Sequence, residues 1–251
     1  MGIAEVIAIL AAGVAAGTVN AVVGSGSLIT FPTLLAFGFA PVVANVSNNV
    51  GLVPGNFSGA WGYRRELVGQ RGRLIRLGVF SAAGALAGAA ALLALPPGAF
   101  KLIVPVLILL SCVLVLVQPK LSAWIAARRE SRGQRGGPVL PTGLFVAGAY
   151  GGYFGAAQGV LVMGLLGTFI DENIQRLNGA KNVLVGIVNA TAAIVYIFAA
   201  HVSWLAVLLI AVGSTVGGLL GAKIGRRLHP LALRLFIVAI GIIAVVRLIF
   251  F

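Results

Sequence analysis

The chain has 251 residues, of which 60% are apolar and only 9% are charged, whereas about a quarter of the residues of a soluble domain carry charge. This composition excludes an ordinary soluble domain. The net charge of +13 does not indicate nucleic-acid binding, because the basic residues gather in short connections between apolar segments, as they do in the cytoplasmic loops of membrane proteins.

Apolar segments close to bilayer-spanning length recur along the whole chain, which predicts an all-α polytopic membrane protein. Residues 3–22 form the first predicted helix; they lack a basic start and a cleavage site, so we interpret them as a retained segment and not as a signal peptide. A break at 24–27 precedes residues 28–38, which are too short to cross a core of roughly 30 Å at about 1.5 Å per residue. They fit a half-helix or a short helix inside the bundle.

The next predicted helix, 43–62, is followed by a basic loop and helix edge that hold Arg64, Arg65, Arg71, Arg73 and Arg76. Helices 77–95 and 99–118 are joined by a tight turn at 96–98. These segments make residues 1–118 the first transmembrane repeat. Residues 119–137 are predicted to be a basic cytoplasmic linker, which holds Lys120, Arg128, Arg129, Arg132 and Arg135.

Residues 138–251 are the second transmembrane repeat, in which the same plan returns. Its predicted helices are 139–154, 177–199, 203–223 and 231–251, with a break at 155–159 before the short segment 160–170. Asp171 and Glu172 lie in a connection and are interpreted as residues that solvate a loop. A basic turn occupies 223–229.

The two halves match residue by residue, which indicates an internal duplication. Asn45, Asn49 and Asn56 recur at one constant offset as Asn178, Asn182 and Asn189. At the same offset the pairs continue with Tyr63 and Tyr196, Ser81 and Ser214, Gly84 and Gly217, Gly88 and Gly221, Pro97 and Pro230, and Lys101 and Arg234. The breaks align after a one-residue gap, with Gly24 opposite Gly155 and Ser27 opposite Gly159.

The charges have changed sides between the two copies. The basic loop 64–73 corresponds to 197–206, which has no Lys or Arg, and the basic turn 223–229 corresponds to the uncharged turn at 96–98. This swap predicts two inverted repeats of about five helical segments each, with short or broken helices at the repeat interface and both termini extracytoplasmic. If the short segments were re-entrant, eight segments would cross and the repeats would be parallel; the charge swap favours inversion.

Short, Gly-interrupted segments in corresponding positions of two repeats are typical of transporter binding sites near the bilayer midplane. A helix that starts after a break aims backbone N–H groups into the protein, which suits an anion. The candidate substrate-binding residues are Ser25, Gly26, Ser27, Asn45, Asn48, Asn49, Asn56, Gln158, Asn178, Lys181, Asn182 and Asn189.

Two alternatives remain open for these residues. The asparagines could join helices by hydrogen bonds and bind no substrate. Lys181 could be a cationic partner of an anion or could extend to the cytoplasmic interface, as we expect of Lys101, Lys223, Arg234 and Arg247. Gly84, Gly88, Gly217 and Gly221 are interpreted as close-packing positions.

The acidic residues Glu5, Glu66, Glu130, Asp171 and Glu172 are not clearly inside a predicted span, so a carboxylate proton relay or cation site is hard to build. Cys112 is the single cysteine, and the two histidines, His201 and His229, lie at segment ends. The chain has no metal-ligand spacing and no catalytic or nucleotide-binding motif. We therefore expect no enzyme activity, no metal and no cofactor.

At these residues the chain resembles the TauE/SafE sulfite exporter family of membrane permeases. The resemblance lies in the order of Gly24-Ser25-Gly26-Ser27, Pro32, Leu35, Gly38 and 44–49 in the first copy, and of 151–155 and 178–182 in the second. It implies an inner-membrane permease for small sulfur-containing or organic anions such as sulfite, sulfoacetate or related sulfonates. The rival hypotheses are a passive anion channel of the same fold and a lipid-handling membrane protein.

Overall fold

The computed structural model of the chain describes residues 1–129, 137–224 and 230–250, and within these ranges all regular structure is helical. The helices are α1 (Ile3–Val22), α2 (Ser27–Ala36), α3 (Pro41–Gly62), α4 (Arg71–Ala94), α5 (Pro97–Arg129), α6 (Val139–Tyr153), α7 (Gln158–Phe169), α8 (Ile174–Ala199), α9 (Trp204–Ile224) and α10 (Pro230–Phe250). Among the described residues, five helices are long and apolar enough to cross a membrane: α1, α4, α5, α8 and α9. The prediction of an all-α polytopic membrane protein is confirmed.

Two basic segments are more helical than expected. Helix α4 begins at Arg71, so Arg73 and Arg76 lie in its first two turns and not in a loop. Helix α5 runs on to Arg129 through Pro119, although proline usually ends or kinks a helix. The residues that follow include Lys and Arg, which are good helix formers. Arg132 and Arg135 of the predicted linker, Glu130, and residues 225–229 of the predicted basic turn lie outside the described residues.

Helices α1 and α9 run in the same direction and touch closely. A Cβ atom added to Gly17 would lie 2.2 Å from the carbonyl oxygen of Ser214, and one added to Gly221 would lie 2.6 Å from that of Thr18. At Gly213 and Gly217 the nearest carbonyl oxygens are those of Leu10 and Val14. The residue numbers therefore rise together along both helices. Helix α3 also runs parallel to α9, since Gly51 packs on Ile210 while the last residue of α3, Gly62, packs on Ala222.

Since α1 and α3 run in the same direction, the chain between them must return along the bundle. Helix α2 has 10 residues and spans only about 15 Å. The residues before and after it, 23–26 and 37–40, therefore make up the rest of the return across the bundle. In the second copy, Gly148 and Gly152 of α6 pack in rising order on Ser81 and Ala85 of α4. Helix α8 is also parallel to α4, because Arg73 pairs with Glu172 just before α8 while Gly78 packs on Ile187, so α6 and α8 run in the same direction. These directions agree with short segments that traverse the bundle, and they disagree with the re-entrant alternative, in which α1 and α3 would be antiparallel.

Helices α3 and α8, which are equivalent in the duplication, run antiparallel. Asn49 of α3 is bonded to Asn189 of α8, whereas Tyr63, at the end of α3, lies against Gly179, near the start of α8. An inverted repeat requires this arrangement of equivalent helices. The orientation of the two copies across a membrane stays a prediction.

The predicted close-packing glycines lie at helix contacts in both copies. A Cβ atom would be 2.0 Å from the Phe145 carbonyl oxygen at Gly84 and 2.0 Å from the Val14 carbonyl oxygen at Gly217. Contact between carbon and oxygen atoms normally requires well over 3 Å, so only glycine fits at these positions. The pairs α4–α6 and α1–α9 therefore pack through equivalent positions of the two predicted repeats.

Candidate functional site

The two breaks touch each other inside the bundle. The Gly159 N–H donates to the Gly24 carbonyl oxygen at 3.0 Å, and a Cβ atom on Gly159 would lie 2.4 Å from the Gly24 Cα. Gly24 also has a φ of +90°, which favours glycine. We call residues 24–27 and 155–159 the junction; the short helices α2 and α7 both start there, at Ser27 and Gln158.

An asparagine that the sequence analysis missed holds the first break together. The Asn20 side-chain oxygen accepts a hydrogen bond from the Gly26 N–H at 2.9 Å, and its amide nitrogen donates to Asn56 at 2.9 Å. Asn20 thus joins α1, the start of α2 and α3. Its signal was an amide in the last turn of an apolar helix, but it has no duplicate, since the equivalent position holds Gly151.

Lys181 binds the C-terminal end of α1. Its amine donates to the carbonyl oxygens of Asn20 and Ala21, both at 3.1 Å, and Asn182 donates to Ala21 at 3.3 Å. Carbonyls in the last turn of a helix lack intrahelical donors, and a cation is favoured there. Lys181 is 1% exposed, so it does not extend to the protein surface as the alternative for this residue supposed.

The second break is built differently from the first. The Gln158 side chain lies over Gly151, where a Cβ atom would be 2.3 Å from its amide carbon. Gln158 therefore occupies the space that the side chain of Asn20 occupies in the first copy. The Ala156 carbonyl oxygen accepts hydrogen bonds from the hydroxyls of Tyr150, at 2.7 Å, and Ser111, at 3.1 Å. This hydroxyl pair was also missed, because it occurs in one copy only.

Some of the other predicted amides are hydrogen-bonded to neighbouring helices, and one is not. Asn45 donates to the Tyr153 carbonyl oxygen at 2.9 Å, Asn49 donates to Asn189 at 3.4 Å, and Asn48 accepts from the Thr30 hydroxyl. These bonds link helices, as the alternative interpretation of the asparagines expects. Asn178 is half-buried, and no described hydrogen bond joins it to the others.

Several buried polar atoms have no hydrogen-bond partner within the part of the chain that the structure describes. Six of them belong to predicted site residues: Ser25 Oγ, Asn56 Nδ2, both amide atoms of Gln158, Asn45 Oδ1 and Asn49 Oδ1. The others are Arg73 Nε, Gln118 Oε1, Gln175 Oε1 and Arg234 Nε. An unpartnered buried polar group costs about 1–3 kcal/mol, so such a set is unusual unless a polar ligand binds to it. Ser25 and Gln158 each adjoin the backbone contact between the two breaks.

The chemistry of the junction is that of neutral donors without a carboxylate. Ser25, Asn56 and Gln158 can donate hydrogen bonds, and the described residues contain no group of three His, Cys, Asp or Glu side chains that could hold a metal ion. The two short helices direct the positive ends of their dipoles to the place where they start. Such an arrangement can bind a small polar anion.

One acidic residue has a more specific role than loop solvation. Glu172 forms ion pairs with Arg176 at 2.5 Å and with Arg73 at 3.2 Å. The hydrogen bond from Arg176, reinforced by Arg73, lowers the pKa of the Glu172 carboxyl. Glu172 thereby links the first turns of α4 and α8, which corrects our interpretation of this residue.

The apolar helices, and the two helix breaks that meet at the buried junction, define an integral membrane protein of the transporter class. The model of the sulfite exporter TauE/SafE family matches residues 9–248, and the chain belongs to this family. It is 26% identical to the "Probable membrane transporter protein YfcA" of Escherichia coli (strain K12) over 217 residues, which cover 85% of this chain and 76% of the relative.

A "Probable membrane transporter protein" of Haemophilus influenzae (strain ATCC 51907 / DSM 11121 / KW20 / Rd) is also 26% identical, over 214 residues that cover 84% of this chain and 81% of the relative. No solved structure matches the chain. The family and these relatives confirm the resemblance seen in the sequence and make the protein a membrane transporter.

Proposed function

We propose that this transporter carries small anions, such as sulfite, sulfonates or related organic anions, across a bacterial inner membrane. The substrate binds at the junction, and the movement of one repeat against the other exposes the junction alternately to the two sides. The family's name describes sulfite export, and the chemistry of the junction independently favours an anion.

The observation that carries the proposal is the set of unpartnered donors beside the contact of the two breaks. Ser25 and Gln158 lie next to Gly24 and Gly159, whose backbones are hydrogen-bonded at 3.0 Å. A substrate with several oxygen atoms could accept from the Ser25 hydroxyl and from the amide groups of Gln158 and Asn56 at once. Charge-assisted hydrogen bonds of this kind are about twice as strong as neutral ones.

The proposal assigns different roles to the predicted site residues. Ser25, Asn56 and Gln158 have unpartnered donors for an anionic substrate. The unpartnered atoms of Asn45 and Asn49 are amide oxygens, which only accept hydrogen bonds, so these two residues join helices in this proposal. Lys181 and Asn182 hydrogen-bond to the end of α1, so the proposal gives them the role of positioning the first break. Asn178 is the member of the set with the least support, since it lies half-exposed.

Transport by alternating access also requires the inverted arrangement that we propose for the membrane. The loop after α3, around the exposed Val68, would face the cytoplasm. The loop after α8, around the exposed His201, would face outwards, as would both termini. Labelling of single cysteines placed at these two positions in a Cys112→Ser background tests this orientation. Labelling of both from the same side would contradict it.

Ligand-induced thermal stabilisation tests the substrate site. We expect sulfite or a small sulfonate to raise the melting temperature of the purified protein, and Gln158→Leu to abolish this effect. The matched control is Gln175→Leu, in the first turn of α8, which should respond like the wild type. An equal response in Gln158→Leu would place the anion elsewhere, and no response to any anion would favour the lipid-handling rival.

A further inference from the structure

A groove lined by Lys101 and Arg247 has the features of a lipid site. It encloses about 480 Å³ between the C-terminal half of α2, the start of α5 and the end of α10. This size lies within the range of small-ligand sites. Lys101 of α5 and Arg247 of α10 both line it, so two cations from different helices face one space.

The two cations have no acidic neighbour in the groove. Its described lining contains no Asp or Glu, and neither Lys101 nor Arg247 forms an ion pair with a described residue. Both side chains are exposed. Lys101 lies in the second turn of α5 and Arg247 in the last turn of α10, which is the depth at which lipid phosphates meet the ends of transmembrane helices.

Apart from Thr33, the rest of the groove lining is apolar or glycine, and the groove opens on the outer surface of the helices. Its wall on α10 is formed by Ile240, Ile243, Ala244 and Leu248. Ile243 is 66% exposed on the outer face of α10. A second groove of about 470 Å³ adjoins it and is lined, among the described residues, by Ile242, Ile243, Val246 and Arg247. Arg247 thus lies between two apolar grooves, each suited to an acyl chain.

We propose that this groove binds an anionic phospholipid. The phosphate lies between Lys101 and Arg247, and the acyl chains follow the apolar surface of α10. A zwitterionic lipid offers the same acyl chains but no net charge, so it should bind more weakly. This site is separate from the junction, and the proposal does not depend on the identity of the transported substrate.

The test is native mass spectrometry of the purified full-length protein with phosphatidylglycerol and phosphatidylcholine of equal acyl chains. We expect the wild type to prefer phosphatidylglycerol. The double variant Lys101→Gln/Arg247→Gln should bind it roughly 30-fold more weakly with unchanged binding of phosphatidylcholine. Lys223→Gln, which removes an exposed cation at the end of α9, is the matched control and should retain the preference.

The charge-conserving variant Lys101→Arg/Arg247→Lys should keep the preference, which separates loss of charge from loss of folding. Equal binding of both lipids by the wild type would overturn the proposal, as would an unchanged preference in the neutral double variant. Competition by glycerophosphoglycerol, which lacks acyl chains, at the same concentration as the whole lipid would also overturn it, because a free phosphate would then be the ligand.

Discussion

Gly159→Ala tests the contact between the two breaks. The added Cβ atom would lie 2.4 Å from the Gly24 Cα and 2.8 Å from its carbonyl oxygen, where about 3.5–4.0 Å is comfortable for carbon atoms. The two backbones must therefore separate by more than 1 Å, and the hydrogen bond of 3.0 Å between them is lost. Overpacking costs about 1–3 kcal/mol and the hydrogen bond about 1 kcal/mol, so we expect a loss of about 2–4 kcal/mol in the free energy of unfolding.

Gly72→Ala is the matched control, because Gly72 is also the second residue of a helix and has no atom within 4 Å of an added Cβ. This change should be neutral or stabilise the protein by up to about 1 kcal/mol. Thermal unfolding of both variants in detergent measures the difference. Equal melting temperatures of Gly159→Ala and the wild type would refute the close contact and with it the geometry of the junction.

Three further predictions concern the effect of single substitutions on the stability of the fold. Ser25→Ala removes an unpartnered buried hydroxyl, so it should leave the melting temperature unchanged or higher while weakening anion binding. Ser111→Ala removes a hydrogen-bonded hydroxyl and should lower the melting temperature. A destabilised Ser25→Ala variant would contradict this assignment. Lys181→Met leaves the buried Asn20 carbonyl oxygen without a donor, while the Ala21 carbonyl oxygen keeps the bond from Asn182. This change should cost about 1–3 kcal/mol, while Lys223→Met should be nearly neutral; similar melting temperatures for the two would argue against the role of Lys181. Because the pKa of Glu172 is lowered in the folded protein, its ionised carboxylate stabilises the fold fully above the ordinary Glu pKa of about 4.3, and this stabilisation is lost as the pH falls through the lowered folded value. The difference in the free energy of unfolding between wild type and Glu172→Gln should therefore shrink in acid. A difference independent of pH would refute the ion pairs.

The helices were predictable because the lengths of the apolar segments, and the glycines that interrupt them, determine locally where helices begin and end. Residues 3–22 were expected as the first helix, and α1 spans Ile3–Val22. The breaks were visible as Gly-rich interruptions, and the duplication showed that they correspond. The extension of α5 was missed, because basic residues suggested a loop although they also favour helices.

The site was less predictable, because a sequence shows which polar residues exist and not which partners they find. Asn20 has no duplicate in the second half of the chain, so the repeat does not predict it as a site residue, yet it joins three helices at the first break. Lys181 was selected as a possible substrate partner, but its hydrogen bonds to the end of α1 depend on a contact between residues far apart in the chain. The unpartnered state of Gln158 could be recognised only after packing placed its side chain over Gly151.

The most direct test of the central claim is counterflow of labelled sulfite in proteoliposomes that contain the wild type or Gln158→Glu. Glutamate has nearly the size of glutamine, but its carboxylate would repel an anion at the junction. We predict that the wild type shows saturable uptake that is accelerated by unlabelled sulfite inside the vesicles, and that Gln158→Glu shows neither. Linear uptake without counterflow would indicate a passive channel, and wild-type counterflow by Gln158→Glu would contradict the assignment of the junction as the anion site.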